Sequence, residues 1–470
     1  MPSLHYRVQR NPLVLALSLP FFASLLSLSH ASRAFASLAD LIIDSRPHYV
    51  YHNCHERFYD VIPRRTRWRR NDGAQLARKG GSFMVEYNVI SADSHIFEPP
   101  DMYTNYIEPK YRDRAPKIER RRTRRGQEYD AWCYEGKRVG TVGSFIQAGR
   151  RFEDPNGIDF LGLWDDVRKA AYEPDEMLKE LGRDGVWGAC MQPSQGLFWY
   201  HMEDGELLSA LCKAYNDWMA DFCKPYPDRL KGIGMINTDD VNEACIELER
   251  CAQKGLVGAF IPVYPLPDRP YRDAIYEKLW WVAQDLDMPL LLHIGTSRYG
   301  VPGCEFTVDT NDLTAAGLAN ADYWVRYSLT AMIFAGVFDR YPKLKVGTVE
   351  HEMAWIPHWL KQMDLTYQER PTLTNGWRSR HGMLPSDVWH QNMFAEFMED
   401  SIGVEMISHI GVDNLLWGND FPHAESTWPQ SPQFLDRIFT NAGTNARRKI
   451  TRDNAIKLFK FDEDVSSSMV

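Results

Sequence analysis

The sequence predicts an α/β fold: a (β/α)8 barrel of the TIM type, with a small β insert after the first strand and an irregular N-terminal extension. Two observations predict it. From Met84 onward, eight short apolar runs alternate with longer amphipathic segments. Acidic and imidazole side chains stand at the ends of several of these runs, where a barrel of this type carries its functional groups.

The apolar runs are continuous rather than alternating, as expected of parallel strands that are buried on both faces. We predict strands at residues 89–95, 185–192, 230–237, 255–263, 289–295, 344–352, 392–399 and 414–422. Amphipathic patterns predict helices at residues 206–223, 241–254, 271–286, 322–341, 353–367 and 447–459. A doubly wound open sheet is the alternative, but no glycine-rich dinucleotide fingerprint follows any predicted strand.

A long excursion, residues 96–175, separates the first two predicted strands. Strand-like pieces at residues 129–133 and 137–142 predict a small β insert over the barrel mouth. The arginine-rich stretch at residues 120–125 is interpreted as a solvated loop in preference to an anion site.

Residues 1–83 differ in composition from residues 84–470, the predicted barrel. They carry 12 Lys/Arg and 5 Asp/Glu, and they show no periodicity. An apolar run at residues 13–28 is short and is interrupted by Pro20, so it does not predict a membrane span. Residues 1–36 resemble a targeting segment. A start at Met84 is the alternative, and it is preferred because Met84 directly precedes the first strand.

The charge and the cysteine content limit the possible functions and locations further. The net charge of −9 and the pI near 5.9 exclude a protein that binds nucleic acid through an overall positive charge. The eight cysteines include no CxxC pair, and several stand in apolar stretches. They indicate buried free thiols in a reducing compartment, and we expect a cytoplasmic location.

The strand ends carry the chemistry. Asp93 and His95 stand two residues apart at the end of the first strand, so both side chains point to the same side. His293 ends the fifth strand and Asp420 ends the eighth. Two imidazoles and two carboxylates suit Zn²⁺ and tolerate Mn²⁺, with a coordination position left open. Taken singly, each has a structural alternative: Asp93 could cap a turn and Asp420 could brace one.

Two further histidines stand near these ends. His351 ends the sixth strand and could act as a general acid or base, or polarise a bound oxygen. Its neighbours Glu350 and Glu352 point away from it in a regular strand, so only a bend would bring one close. His423 follows the eighth strand and could contact substrate or face solvent. No chemistry is expected from the remaining candidates, His201, His358, His381, His390 and His409.

These motifs resemble the amidohydrolase-related family that includes aminocarboxymuconate-semialdehyde decarboxylase and the resorcylate decarboxylases. Residues 91–99, Ser-Ala-Asp-Ser-His-Ile-Phe-Glu-Pro, are similar to its opening motif. Residues 341–346 leading to His351 resemble its sixth-strand segment. Residues 415–422, Leu-Leu-Trp-Gly-Asn-Asp-Phe-Pro, resemble its eighth-strand motif, and residues 450–461 its closing helix.

The resemblance implies a metal-dependent barrel, commonly a homodimer, that removes CO₂ from an aromatic or unsaturated acid. By position, it implies that Asp93, His95, His293 and Asp420 are the metal ligands and that His351 is the catalytic histidine. For Asp420 a catalytic role is also expected: in a decarboxylase, Asp420 or a metal-bound water would deliver a proton to the carbon that loses CO₂. The chain departs from the family where Asp93 replaces a histidine or glutamate, and where two glutamates flank His351.

Three functions are therefore carried forward. The first is a metal-dependent nonoxidative decarboxylase, or carboxy-lyase, acting on a small carboxylic acid. The second is a metal-dependent hydrolase of a lactone, amide or ester, in which Asp420 would take the proton of water. The third is a barrel with a degenerate site that acts as a binding protein.

Overall fold

Eleven strands form two sheets in the part of the chain that the computed structural model describes, residues 88–301, 315–374 and 377–462. All of these residues lie within one unit, Met84–Val470. The predictions for residues 1–83 fall outside the described residues. The strands are β1 (Val89–His95), β2 (Lys117–Arg122), β3 (Glu128–Tyr134), β4 (Lys137–Thr141), β5 (Val186–Gln192), β6 (Leu230–Met235), β7 (Gly258–Phe260), β8 (Leu290–His293), β9 (Val346–Val349), β10 (Met393–Phe397) and β11 (Leu415–Trp417).

Eight parallel strands form the predicted barrel sheet, in the order β1-β5-β6-β7-β8-β9-β10-β11. Its two ends approach each other just beyond β11. There the amide of Asp420 donates to the carbonyl of Asp93 at 2.9 Å, and the amide of His95 donates to the carbonyl of Phe421 at 2.7 Å. These two backbone hydrogen bonds nearly close the barrel, and they fix the turn after β11 against the end of β1.

The eight predicted barrel strands are all confirmed, although most are shorter than the apolar runs. Every residue of β1, β5, β8, β9, β10 and β11 is buried, as the continuous apolar pattern predicts. The predicted strand at residues 344–352 ends at Val349, because the next residue, Glu350, takes a left-handed conformation with φ 61°.

The small β insert is also confirmed. Strands β2, β3 and β4 form an antiparallel sheet between β1 and β5. The interpretation of the arginine-rich stretch as a loop is wrong for Arg120, Arg121 and Arg122, which lie in β2. Cross-strand acids explain the difference, since Arg120 bonds Asp130 on β3 and Arg122 bonds Glu128 on β3.

Helices fill the intervals between the barrel strands. The helix Gly205–Cys223 begins at Asp204, whose side chain accepts the amide of Leu207. The predicted helix at residues 322–341 is divided at Gly336, which has φ 69°. The α-helices are Met102–Tyr106, Arg150–Glu153, Pro174–Arg183, Gly196–Trp199, Gly205–Cys223, Val241–Gln253, Glu277–Asp285, Ala315–Ala319, Asp322–Phe334, Val337–Arg340, Ile356–Glu369, Pro385–Asn392, Ser401–Glu405, Ile407–Ile410, Ser431–Ile438, Thr444–Arg448 and Asn454–Phe459.

The hydrophobic core lies between the barrel sheet and these helices. It includes large side chains that are almost fully buried, such as Trp280, Trp389 and Trp417. Six cysteines of the described residues are buried free thiols. Among the helices that the structure describes, none combines the length and the apolar character that crossing a bilayer requires.

Candidate metal centre

Four of the predicted site residues meet at one end of the barrel. Asp93 and His95 lie on β1, His293 ends β8, and Asp420 follows β11. Nε2 of His95 lies 3.0 Å from Oδ1 of Asp93 and 3.3 Å from Oδ1 of Asp420. Nε2 of His293 lies 4.0 Å from Oδ2 of Asp93. The carboxyl ends of distant strands thus gather two imidazoles and two carboxylates.

Hydrogen bonding determines the tautomer of His95. Its Nδ1 lies 2.8 Å from the carbonyl oxygen of Pro193, which can only accept, so Nδ1 carries the proton. Burial, with the neighbouring His423, lowers the pKa of His95 well below its ordinary value, and the ring is neutral at pH 7. The lone pair of Nε2 therefore faces the oxygens of Asp93 and Asp420.

His293 is oriented in the same way. Its Nδ1 lies 2.8 Å from the carbonyl oxygen of Ile294 and donates to it. Burial is the main cause that lowers the pKa of His293 to about 3. Its Nε2 lone pair consequently points into the site. An imidazole whose Nδ1 is held by a carbonyl and whose Nε2 is free is a typical metal ligand.

The convergent atoms have no hydrogen-bond partner within the described residues. Both carboxylate oxygens of Asp93 and of Asp420 are buried without one, as is Nε2 of His95 and of His293. Burying unpaired polar groups costs about 1–3 kcal/mol each. A divalent cation would be a partner for such electron-pair donors, and one donor atom each of Asp93, His95 and His293 lies within 4.8 Å of the others. The residues present therefore fit a metal ion, and the assignment of each as a ligand stays a prediction.

A bend after β9 adds a fifth residue, Glu350. Its left-handed φ of 61° turns the side chain toward the site, and Oε2 lies 3.4 Å from Nε2 of His293. One donor atom each of Asp93, His95, His293 and Glu350 lies within 4.8 Å of the others. In a regular strand, both glutamates that flank His351 would point away from it. The bend instead brings one of them, Glu350, to the centre.

Glu396 on β10 supports this bend. Its Oε2 accepts the amide of Glu350 at 2.9 Å, and the side chain is buried. Burial and the neighbouring carboxylates raise the pKa of Glu350, Glu396 and Asp420 well above their ordinary values. Burial also raises the pKa of Asp93, against the opposing effect of His293. These carboxyl groups favour protons or cations as partners.

Asn419 holds the turn that presents Asp420. Its amide nitrogen donates to Oγ of Ser91 at 3.0 Å, and its Oδ1 accepts from Oγ of Ser94 at 2.8 Å. Its Nδ2 donates to the carboxylate of Asp184 at 3.0 Å. These bonds hold Asp420 in a left-handed conformation with φ 54°. A buried asparagine therefore orients the carboxylate of Asp420.

His423 lies inside the site and does not face solvent. Its ring stacks on that of His95, with centroids 4.0 Å apart. Its Nε2 lies 2.9 Å from Oγ of Ser194, whose single proton is donated to the carbonyl of Ile96 at 2.6 Å. Nε2 of His423 is therefore the donor, and its Nδ1 lies 2.9 Å from Oδ1 of Asp420.

His351 is buried beside the same centre. Its Nδ1 lies 2.8 Å from Oγ1 of Thr348. Burial lowers its pKa to about 3, so the ring is neutral at pH 7. A positive charge on His351 would lower the pKa of His293, so the two rings interact electrostatically. The catalytic role predicted for His351 needs a neutral ring that donates or accepts one hydrogen bond.

The remaining histidines of the described residues lie away from these contacts. His201 is half-buried, and its Nε2 donates to the carbonyl oxygen of Gly295 at 3.0 Å. Burial lowers the pKa of His201 to about 4. The others are exposed: His358, His381, His390 and His409.

Sequence reasoning did not assign a role to Glu396, Asn419 or Ser194. One signal was available for Glu396, since it is the acid in an otherwise apolar strand, Met393–Phe397. No comparable signal marks Ser194 or Asn419, because their contacts join segments that are distant in sequence.

Comparison with known proteins was made on the sequence and on the fold. A sequence model of the amidohydrolase family matches residues 174–461, more than half of the chain. The chain belongs to the amidohydrolase family. The family resemblance expected from the strand-end motifs is thereby confirmed.

Individual proteins are similar to this amidohydrolase over most of the barrel. A gamma-resorcylate decarboxylase from Polaromonas sp. is 26% identical over 267 residues, which cover 53% of this chain and 75% of that protein. An amidohydrolase from Mycobacterium avium subsp. paratuberculosis has a TM-score of 0.64 at 21% identity, covering 79% of this chain and 99% of the other. A dihydroxybenzoic acid decarboxylase from Polaromonas sp., solved with bound manganese and 2-nitroresorcinol, has a TM-score of 0.55 at 17% identity, covering 82% and 100%. The predicted barrel fold is confirmed by these likenesses.

Proposed function

We propose that this amidohydrolase is a metal-dependent nonoxidative decarboxylase, a carboxy-lyase that acts on an aromatic or unsaturated carboxylic acid. The observation that carries the proposal is the set of buried, unpartnered donor atoms on Asp93, His95, His293 and Asp420. The similarity to a gamma-resorcylate decarboxylase supports the same reaction class.

One divalent cation would be held by Asp93, His95, His293 and Asp420, with Glu350 as a further donor. Such an ion supplies Lewis-acid binding for the carboxylate of the substrate and for an adjacent hydroxyl or carbonyl oxygen. The donor set suits Zn²⁺, which we expect first, and Mn²⁺ as the alternative. A manganese ion is bound in one structurally similar decarboxylase.

Asp420 is the proton carrier. When the C–C bond to the carboxylate breaks, its electron pair remains on carbon and CO₂ leaves, so that carbon must then gain a proton. Oδ1 of Asp420 lies 2.9 Å from Nδ1 of His423, and we place the proton between these two atoms. Moving it to the carbon completes the balance, because substrate loses CO₂ and gains H⁺. Exchange with water returns the proton to the pair.

His423 positions this proton. Both of its ring nitrogens are engaged, one by Asp420 and the other by Ser194. These contacts favour a role for His423 in orienting Asp420, and its contact with substrate stays a prediction. His351, neutral and buried, would polarise a substrate oxygen through one hydrogen bond.

Decarboxylation is tested against hydrolysis by a substrate panel. Protein stripped of metal by a chelator is reloaded with Zn²⁺ or Mn²⁺ and incubated with 2-hydroxybenzoates and with cyclic esters. We expect CO₂ release from the benzoates without acid release from the esters, and no turnover by the stripped protein. Acid release alone would establish the hydrolase. Neither product, with no metal restored, would leave a binding protein.

His293→Ala should remove the metal and the activity together, because it deletes one of the two nitrogen donors in the proposed ligand set. The matched control is His409→Ala, which alters an exposed histidine and should retain both. Metal content by mass spectrometry and CO₂ release are measured on the same preparations. Full metal content in His293→Ala protein would contradict the assigned ligand set.

His351→Ala should separate binding from chemistry. We expect metal content to be retained and kcat to fall by about 10²–10⁴, the range for losing a general acid or base. Loss of metal as well would show that His351 supports the centre rather than the reaction. A homodimer and a cytoplasmic location are also proposed, and light scattering of purified protein tests the former.

A further inference from the structure

A buried polar pair, Asp184 and Asn419, lies near the point where the two ends of the barrel sheet, β1 and β11, approach each other. Asp184 is 1% exposed, Asn419 is fully buried, and Nδ2 of Asn419 donates to Oδ2 of Asp184 at 3.0 Å. The two residues are 235 positions apart in sequence. Asp184 stands between the helix Pro174–Arg183 and β5, so it belongs to neither strand that carries Asp93, His95 or the turn of Asp420.

The side-chain amide of Asn419 has one orientation that satisfies its neighbours. The backbone amide of Phe421, which can only donate, lies 3.2 Å from Oδ1. The hydroxyl of Ser94 on β1 also donates to Oδ1, at 2.8 Å. The carboxylate of Asp184 accepts from Nδ2 on the other side. Asn419 therefore links β1 to Asp184 through one accepting and one donating atom.

Asp184 is itself held in place by the start of the helix Ser431–Ile438. The backbone amide of Ser431 donates to Oδ1 of Asp184 at 3.0 Å, and the Ser431 hydroxyl donates to Oδ2 at 2.5 Å. Burial raises the pKa of Asp184, whereas these two donors and Asn419 lower it and favour the carboxylate. A buried carboxylate with three donors has little freedom to move, so it is a fixed reference point for Asn419.

Candidate metal ligands lie on both sides of Asn419. On β1, its partner Ser94 stands between Asp93 and His95. After β11, Asn419 directly precedes Asp420. Carboxylate oxygens bind Zn²⁺ at about 2.0–2.2 Å, so a shift of about 1 Å in either segment would disturb the ligand geometry. The contacts that hold Asn419 therefore also hold the ligands of β1 and the ligand after β11 at their separation.

We propose that Asp184 is a positioning residue of the metal centre. Through Asn419, it sets the place of Asp420 relative to the candidate ligands on β1. The proposal rests on the metal centre proposed above, and it assigns Asp184 no contact with metal or substrate. A residue that only stabilised the fold would lower the free energy of unfolding and leave the metal affinity of the folded protein unchanged. Metal affinity is therefore the decisive measurement.

An exchange of the two side chains tests this role. Asp184→Asn sets donor against donor at Nδ2 of Asn419, and Asn419→Asp sets carboxylate against carboxylate. Each single substitution should weaken Mn²⁺ binding about 10–100-fold, the range for losing an outer partner of a metal site. The double variant, Asp184→Asn with Asn419→Asp, restores one donor and one acceptor at unchanged total charge. It should recover most of the lost affinity, because the two effects are coupled.

The four full-length proteins, wild type included, are stripped with a chelator and titrated with Mn²⁺ by calorimetry. Urea unfolding of the metal-free proteins records stability separately, and circular dichroism shows that each variant is folded. The matched control is Asp285→Asn, which removes the same charge from the exposed last residue of the helix Glu277–Asp285. It should bind Mn²⁺ as tightly as the wild type.

The outcomes distinguish this inference from the metal centre on which it rests. Weaker binding by both single variants, with recovery in the double variant, supports the positioning role. Single variants that bind Mn²⁺ as tightly as the wild type, or losses that simply add in the double variant, overturn that role and leave the metal centre standing. A wild type that binds no Mn²⁺ overturns both.

A milder substitution decides the question if an exchanged protein fails to fold. Ser431→Ala removes one of the three donors to Asp184 and leaves the bond from Asn419 in place. Folded Ser431→Ala protein should bind Mn²⁺ more weakly than the wild type, because Asp184 is held less firmly. Unchanged affinity in this variant would overturn the positioning role.

Discussion

The imidazole of His423 stacks on that of His95, with ring centroids 4.0 Å apart and ring planes at 29°. One ring is oriented by the carbonyl of Pro193, and the other by Asp420 and Ser194. Through this stack, a predicted metal ligand on β1 is linked to Asp420, the proposed proton carrier after β11. His423 therefore contacts both His95 on β1 and Asp420 after β11, and it orients these two side chains relative to each other.

Two substitutions separate these roles. His423→Phe keeps a flat ring against His95 but has no nitrogen for Asp420, so metal content should be retained while kcat falls about 10–100-fold. His423→Ala also loses the stack, and metal affinity should fall by a similar factor. Metal titration and steady-state kinetics are measured on both, with His409→Ala as control. Equal metal loss in both variants would contradict a separate stacking role.

Gly418 leaves room for two of the acidic groups. A Cβ there would lie 2.5 Å from Cβ of Asp93 and 2.5 Å from Oε1 of Glu396. Gly418→Ala should therefore displace both side chains, lower metal content and destabilise the fold by about 1–3 kcal/mol. Metal analysis and thermal unfolding measure the two effects.

The matched control is Gly182→Ala, in the helix Pro174–Arg183, where a Cβ would meet no atom within 4 Å. It should stabilise the fold by about 0.5–1 kcal/mol, because alanine favours the helix. If Gly418→Ala retained full metal content, the close packing of Asp93 and Glu396 around this position would not matter to the centre.

Glu98 should make stability depend on pH. It is fully buried and accepts the amides of Gln195 and Gly196, at 2.9 Å and 2.7 Å, yet burial raises its pKa to about 7. Because the folded state holds this proton more tightly than the unfolded chain, its contribution is present below pH 4.5 and is lost as pH rises to about 7. The loss is about 3 kcal/mol by linkage.

Urea unfolding of wild type and of Glu98→Gln across this pH range measures that loss. The other buried carboxyl groups titrate in both proteins, so their effects cancel in the difference. The stability of wild type relative to the variant should fall between pH 4.5 and pH 7 and stay level above it. A difference that does not change with pH would show that Glu98 keeps one protonation state throughout.

Much of the barrel could be predicted because its strands are buried on both faces. Continuous apolar runs then mark each strand, and the two-residue period places Asp93 and His95 on one side. The same pattern overextended the strand before His351. A run of apolar residues does not reveal where the backbone bends, and the left-handed Glu350 is stabilised by Glu396 from another strand.

By itself, the sequence determined the family, the eight-strand barrel and the strand-end residues, since these depend on local periodicity and on motifs that short stretches carry. Only the tertiary structure decided which side chains share the centre with Asp420. His423, Glu350 and Glu396 reach it through a stacked ring, a bent strand end and a bond between strands. Such contacts depend on how distant segments pack, and no local pattern records them.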